Sequence, residues 1–551
     1  MDLSGFDTND KLGEKYEEDL VKDLIRDYEY LAGLRGNWNT HWREIAERFW
    51  PMHKNLFQDT LSLQSQGDKR NQEIFDSTPV LALARFGAIL DSLLTPRNAF
   101  WHNLKPTDRT LLKDKNVMDW FSRVNTIMFE QRYAPNANFA SQNQMQYKSL
   151  GAYGTGAMFI DALAGKKALR YRNSHLSEIY LQENHQGIIE RVCRRFVMTA
   201  RQAVQQFGDK CPEVISKKME TAPETQFFFI HWVVPRHDRE PDRKDFKGME
   251  YASYYIALEG KKLVAEGGYR TFPYSISRYE QSPQEAYGRS PAMDVLPAVK
   301  TLNKQKELVL KQGQLALDPV MLVHDDGIMD GAVVESGGYI SGAISADGKP
   351  LVQPLPAGRV DIGEELMNAE RALINDTFLV TLFQILTETP EMTATEVMER
   401  TREKGILMAP TIGRQQSEYL GPMIDREIDL LSSMGMLPPM PRMLLEAEGE
   451  YQIIYDSPIS RTQKAEWASG AVRTIEILTQ VAQQTGDPSK LFYINWDVAA
   501  PQIADIYGTP SPWLNTPEVV QAMKQEFAKQ QQQQQQIQAA PAMAGLMKAA
   551  K

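Results

Sequence analysis

Apolar positions recur along this chain with two spacings, and the switches between them divide it into helical ends, a β-rich middle and a helix-bounded excursion. Leu12 to Leu34 has the spacing of an amphipathic helix dense in charge. Asn39 or Thr40 is expected to cap a second helix with Trp42, Ile45, Ala46 and Phe49 along one face and Pro51 as its stop. A polar linker follows from Gln58 to Asn71. Thr78-Pro79 starts a third helix, and Val80 to Leu94 is apolar nearly all round, which predicts burial. Thr95-Pro96 ends it, and Phe100-Trp101 opens an extended segment. Further helices are expected over 111–132 and 138–150.

Gly151, Gly154 and Gly156 close the last of these and lead into a strand, Met158 to Asp161. Ile179 to Leu181 and Ile188 to Phe196 flank a turn at Gly187, and Thr199 to Phe207 reads as a short capped helix closed by Gly208. Phe227 to Val234, Tyr251 to Leu258 and Lys261 to Ala265 complete an antiparallel set, with the charged loop Arg236 to Lys247 between the first two.

Tyr287 to Glu396 is the most readable stretch. Ser290-Pro291 is a cap followed by a first-turn proline, where the missing N–H costs nothing. Pro297 predicts a kink or a restart, and Ala298 to Leu317 then continues as a rod of about 30 Å until Asp318-Pro319. Gly327, Gly331, Gly337, Gly338, Gly342 and Gly348 punctuate short strand-like runs such as Val320 to Val323. Helix resumes near Gly363, with Leu366, Leu373, Phe378, Leu382 and Ile385 expected on the buried face and Glu364, Glu370, Arg371 and Asp376 in water. Thr393 to Glu396 is a capping box opening another helix, broken by Gly405, Pro410 and Gly413. A longer helix runs to Met434, with a kink expected at Pro422, and stops at Gly435. Helix is expected again over Thr462 to Gln484 and from Pro517 onward.

Composition narrows the class. At 551 residues two or more domains are expected, and 42% apolar with 24% charged residues is the profile of a soluble globular protein. Cys193 and Cys211 form no disulfide framework, which fits synthesis in a reducing cytoplasm. Met1 to Asp10 is acidic and does not read as a signal peptide, and Phe227 to Val234 is too short to span a bilayer. A net charge of −10 argues against tight binding along nucleic acid, though not against loose enclosure of it. Seven glutamines, Gln530 to Gln536, predict disorder at the C-terminus, or a helix continued only in an assembly.

The chemistry-bearing residues form no catalytic constellation. Gly151-Ala-Tyr-Gly154-Thr-Gly156 lacks the spacing of a phosphate loop and precedes a strand, so a backbone crossing is expected there. No GxxxxGK[ST] motif occurs, His324-Asp325-Asp326 reads as a solvated turn rather than a metal site, and the carboxylates single out no acid/base pair. No cofactor, no metal and no catalytic residue is therefore expected. Lys300, Lys304 and Lys311 stand four and eleven residues apart on one helix face, which is either an ordinary wet face or a phosphate-facing stripe.

Several segments in order resemble the portal, or head-to-tail connector, proteins of short-tailed bacteriophages. They are Trp42 to Pro51, Asp76-Ser-Thr78, Leu93-Leu-Thr-Pro96, Tyr287-Gly-Arg-Ser-Pro291 through Leu302-Asn303 to Pro319, Thr393-Ala-Thr-Glu-Val397 with Arg400, Gly435 with Pro438, and Tyr455-Asp-Ser-Pro458. The resemblance spans roughly residues 38–520. It implies an α+β, mainly helical fold made of a wing, a helical stem, a small β-containing clip and a helical crown. The divisions that follow are an N-terminal helical arm (1–37), an α+β wing (38–288), a first stem helix (289–318), a clip (319–361), a second stem helix (362–385), a tunnel loop (386–395), wing return helices (396–458), a crown (459–529) and a Gln-rich tail (530–551).

It also implies a ring of twelve copies at one capsid vertex of the virion, through which double-stranded DNA is packaged and ejected. The implied partners are the major capsid protein, a scaffold protein, the large terminase subunit and tail adaptor proteins, with no membrane. Lys300, Lys304, Lys311, Glu388, Thr389, Pro390 and Glu391 become candidates for the DNA channel. Two other readings are an envelope-degrading phage hydrolase, which would need a deep acidic pocket, and a non-portal scaffold or tail adaptor, which would not need the helix, β-insert, helix excursion.

Overall fold

The computed structural model describes residues 7–57, 67, 69–163, 165–323, 344–345, 347–350, 352–355, 361–381, 409–447, 449–455, 458–486, 494–496, 499–500, 503, 515, 519–527 and 529–530. Helix α1 (Asp7–Leu34) runs almost directly into α2 (Gly36–Phe49). The second helix starts before the expected Asn39 or Thr40 cap. Thr40 lies inside it, its hydroxyl donating to the Gly36 carbonyl at 3.3 Å, while Trp42, Ile45, Ala46 and Phe49 are buried as their spacing predicts. Helix α3 (Thr78–Leu94) buries Ala82, Leu83, Phe86, Leu90 and Leu94 but leaves Leu81 53% exposed, so it is not buried all round. Strand β1 (His102–Pro106), α4 (Lys115–Tyr133) and α5 (Phe139–Tyr153) follow. Gly151 lies within α5, which Gly154 closes; position 151 is glycine because a Cβ there would meet the Phe86 ring at 2.6 Å.

The middle supplies β2 (Thr155–Ala162), β3 (Leu169–Ser174), β4 (Ile179–Glu183) and β5 (Ile189–Thr199). Helices α6 (Ala200–Phe207) and α7 (Glu213–Thr221) then precede β6 (Gln226–Pro235), β7 (Tyr251–Ala257), β8 (Lys262–Tyr269) and β9 (Tyr274–Arg278). Thr199 and Gln202 form a reciprocal capping box at the start of α6. Next come α8 (Pro291–Asp294), α9 (Leu296–Leu317), the hairpin strands β10 (Met321–Val323) and β11 (Val352–Pro354), and α10 (Asp361–Thr377). The described C-terminal elements are α11 (Gly421–Ser433), α12 (Arg442–Glu446), β12 (Tyr451–Tyr455) and α13 (Pro458–Thr485).

These elements form two compact units, each assembled from separate stretches of chain. The first comprises 1–92, 133–392 and 408–430. Its main sheet is antiparallel in the order β4-β5-β6-β7-β8. One face lies under α1, where Leu24, Ile25 and Tyr28 pack on Cys193, Trp232 and Ile256, and the Trp232 indole donates to the Leu24 carbonyl at 3.1 Å. The other face holds α6 and α7 through Ala203, Ile215, Phe227 and Phe229. With β6 covered on both sides, its sequence is apolar on both faces instead of alternating, broken only by His231, whose ring is buried and within 2.9 Å of the Ser253 hydroxyl. A second sheet, ordered β3-β2-β9, packs against α5.

The second unit comprises 93–132, 393–407 and 431–551. Here β1 pairs with β12, His102 opposite Tyr455. Arg132, fully buried, stacks on Trp101 at 4.6 Å and bonds the His102 ring at 2.8 Å. Gly435 adopts the left-handed conformation and closes a Schellman cap, with Met436 N–H on the Leu431 carbonyl and Gly435 N–H on that of Ser432, both at 3.0 Å.

Two expectations around the excursion are corrected. The buried positions of α10 are Met367 and Ile374, while Leu366 and Leu373 are 53% and 50% exposed, so along the helix the core face lies one residue further on; Phe378, just past its end, is buried as expected. The helix is interrupted at Phe378-Leu379, where Leu379 takes φ 60°, and is helical again at 380–381, so the second rod is not the continuous helix expected over this stretch. Pro410 stands in the first turn of the described helix from 409, and Gly413 lies within that helix. At Pro422 the chain adjusts with a π turn, Gln415–Leu420, in which Gly421 N–H reaches the Gln416 carbonyl. Proline 422 has no N–H to close on residue 418, and widening the turn relieves the ladder there. The capping box at Thr393 to Glu396, Gly405, residues 382–385 and His324-Asp325-Asp326 lie outside the described residues.

Candidate functional site

The rod α9 is seated by the motif Tyr287-Gly-Arg-Ser-Pro291, whose first four members each make a definable contact and whose proline opens α8. The buried Tyr287 hydroxyl donates to the Ile179 carbonyl and accepts from Leu181 N–H, both at 3.3 Å. Gly288 faces Gly154 across a backbone crossing, where a Cβ on Gly154 would lie 2.2 Å from the Gly288 carbonyl oxygen. The glycine cluster at 151–156 is thus a crossing point, as its sequence context predicts. Arg289 stacks on Trp38 at 4.7 Å. The Ser290 hydroxyl donates to the Ala152 carbonyl at 2.8 Å and accepts from Met293 N–H at 3.2 Å as the cap of α8. Helix stops at Asp294 and restarts at Leu296 with Pro297 in its first turn.

Lower down, Asn303 accepts from Phe75 N–H at 2.8 Å and donates to the Glu73 carbonyl at 2.9 Å, so it pins the chain just ahead of α3. Asp76 accepts from Thr78 N–H at 2.9 Å and takes Arg371 of α10 at 2.6 and 3.0 Å. Burial alone would raise the Asp76 carboxyl, but these hydrogen bonds from Thr78 and Arg371 hold it below its ordinary range. Arg371 was expected in water. Its role is invisible to helical periodicity because its partner lies 295 residues away. The rods themselves run antiparallel and close at Gly363, where a Cβ would stand 2.8 Å from the Val309 side chain.

Only the base of α9 has a core. Leu296, Val299 and Leu302 are buried, whereas Leu308, Leu310, Leu315 and Leu317 are 53%, 47%, 43% and 90% exposed. The lysine face is compensated within the chain: Lys300 meets Glu44 at 2.5 Å, and Lys304 and Lys311 share Glu307 at 3.0 and 2.7 Å. Those two lysines hold the Glu307 carboxyl below its usual range. Glu388, Thr389, Pro390 and Glu391 lie outside the described residues.

The residue network that sequence reasoning missed lies where β9 meets the π turn. Arg278, buried, grips Glu418 with Nε at 3.1 Å and a terminal nitrogen at 2.9 Å, and also pairs with Glu183. Gln415 donates to the Arg278 carbonyl at 2.9 Å, and the Tyr419 hydroxyl donates to Asn143 at 2.6 Å. Among the described residues no cluster of His, Cys, Asp or Glu could hold a metal ion, and no helix is long and apolar enough to cross a membrane.

Two long rods that bury little, seated by buried backbone-directed contacts, define a structural chain built to pack against others. The chain belongs to the family described as bacteriophage head to tail connecting protein, which it matches over residues 21–514. It is similar to a probable portal protein of Bordetella phage BPP-1, 28% identical over 530 residues, covering 94% of this chain and 92% of that one. It is also similar to the portal protein of Salmonella phage epsilon15, 27% identical over 537 residues, covering 95% and 93%. The family's described role is to connect, a structural task and not an enzymatic one.

Proposed function

We propose that this chain is the portal protein of a tailed phage, forming a ring at one capsid vertex through which double-stranded DNA enters and leaves. The observation that carries this reading, beside the family, is the row of exposed leucines on α9 and α10. Each fully buried leucine contributes about 1.5–3 kcal/mol, so their exposure in the single chain calls for a neighbour. A closed ring supplies that neighbour to every copy.

In this reading α9 and α10 are the stem, β10 and β11 belong to the clip, the sheets with their helices form the wing, and the C-terminal helices form the crown. Twelve copies would associate without covalent links, since Cys193 and Cys211 are buried thiols. The ring docks the capsid and the tail, with scaffold protein, large terminase subunit and tail adaptors as the finer assignments. The three lysines and Glu388 to Glu391 remain channel candidates. The lysines can be offered to DNA only in competition with Glu44 and Glu307, which makes weak, salt-sensitive contact the expected behaviour.

Light scattering on reduced protein, with projection class averages, tests the reading. A closed ring of mass near twelve times 62.6 kDa, with a bore of DNA width, is expected, and a stable monomer at micromolar concentration would overturn it.

A further inference from the structure

An open cleft of about 550 Å³ lies between the two sheets of the first unit, lined by Arg172, Arg194, Phe196, Met198 and the glutamines of α6. Arg172 projects from β3 and rests on the Phe159 ring at 5.0 Å, yet makes no hydrogen bond or ion pair among the described residues. Arg194 of β5 stacks on Phe196 at 4.6 Å and holds Glu178 at 2.7 Å. Two guanidiniums therefore face one carboxylate, a local positive excess on a chain of net charge −10.

Behind them, in the row Arg172, Phe159, Tyr274 across β3, β2 and β9, Tyr274 is 1% exposed and its hydroxyl has no hydrogen-bond partner among the described residues. A buried hydroxyl without a partner is costly, and two guanidiniums held close together repel each other. Arg172 is exposed on β3, and its guanidinium is held below its ordinary value by partial desolvation and then by Arg194.

We infer that this cleft binds an extended acidic peptide segment presented by a partner protein, with a carboxylate seated on Arg172 and Arg194. Phe196 and Met198 offer an apolar floor for one side chain. Gln205 and Gln206, exposed on α6, can both donate to and accept from a peptide backbone, a pairing that a phosphodiester, which only accepts, would use half of. An Arg pair takes a planar carboxylate in bidentate geometry.

The test is fluorescence anisotropy on the purified full-length protein with a labelled Glu-Glu-Phe-Glu-Glu peptide. Saturable binding is expected, weakened about tenfold or more by Arg172→Gln and by Gln205→Ala with Gln206→Ala, retained in part by Arg172→Lys, and unchanged by Lys217→Gln on α7. Thermal melting of each variant reports its folding, and Arg172→Gln removes no internal hydrogen bond. The inference is overturned by absence of wild-type saturation up to about 1 mM, by unchanged affinity in Arg172→Gln, or by equal competition from inorganic phosphate or a short single-stranded DNA of the same charge.

Discussion

His53 and His175 meet edge to face within the first unit, with His53 Nδ1 and His175 Nε2 3.0 Å apart. Ser177 N–H donates to His175 Nδ1 at 3.2 Å, so His175 carries its proton on Nε2 and donates it to His53. Burial pushes His53 down from 6.5 to about 4, with Lys148 and Arg70 adding to the shift, and it pushes His175 well below its usual value. A histidine whose folded value is depressed contributes stability above the unfolded value that is lost as pH falls toward the folded one. Unfolding free energy should therefore fall between about pH 6.5 and 4 by roughly 1.4 kcal/mol per pH unit for His53 alone. Urea midpoints at pH 7 and pH 5 measure this, and His53→Gln should flatten the dependence. The other residue-scale prediction is at Gly154, which has φ 74° and the Gly288 carbonyl where a Cβ would go. Gly154→Ala should cost at least about 3 kcal/mol, read as a lowered melting temperature or as loss of soluble protein.

At the scale of elements, the π turn Gln415–Leu420 is tied to β9 by charge. Arg278 reaches both Glu418 oxygens from β9 while the π turn presents Glu418, Gln415 and Tyr419 to the same strand. Arg278→Ala strands two carboxylates that are each about a fifth exposed, and should destabilise by about 3–5 kcal/mol. Arg278→Ala combined with Glu418→Gln should recover part of that loss, and a double-mutant cycle in denaturant measures the coupling. If the single change costs under about 0.5 kcal/mol, the tie is not what holds this turn.

For the whole molecule, the exposed leucines and the net charge make separable predictions. Leu308→Glu with Leu315→Glu should leave the melting temperature of the single chain nearly unchanged, since both sites are already in water, and should abolish the ring in light scattering. Glu388→Lys with Glu391→Lys should leave the ring intact and slow DNA translocation in a packaging assay. The effect should be largest at low salt, where the attraction to phosphate is least screened. Wild-type packaging rates across a salt titration, or loss of the ring, would remove the channel-loop assignment.

Local rules were enough for much of this chain because the forces behind them are local. The caps at Thr199 and Ser290, the restart at Pro297, the left-handed stop at Gly435 and the buried face Trp42, Ile45, Ala46 and Phe49 depend on neighbours within a turn or two. The ordered motifs identified the family for the same reason, since they mark these local events. What the tertiary structure decided involves distant partners. Periodicity placed the core face of α10 at Leu366 and Leu373, but packing against α9 at Gly363 and the pull of Asp76 on Arg371 turn Met367 and Ile374 inward. Asp76 with Arg371, Arg278 with Glu418, and Arg172 beside Arg194 join residues far apart in sequence or on different strands. No spacing rule reaches them, because the fold as a whole brings these charges together and leaves the first two pairs with limited water.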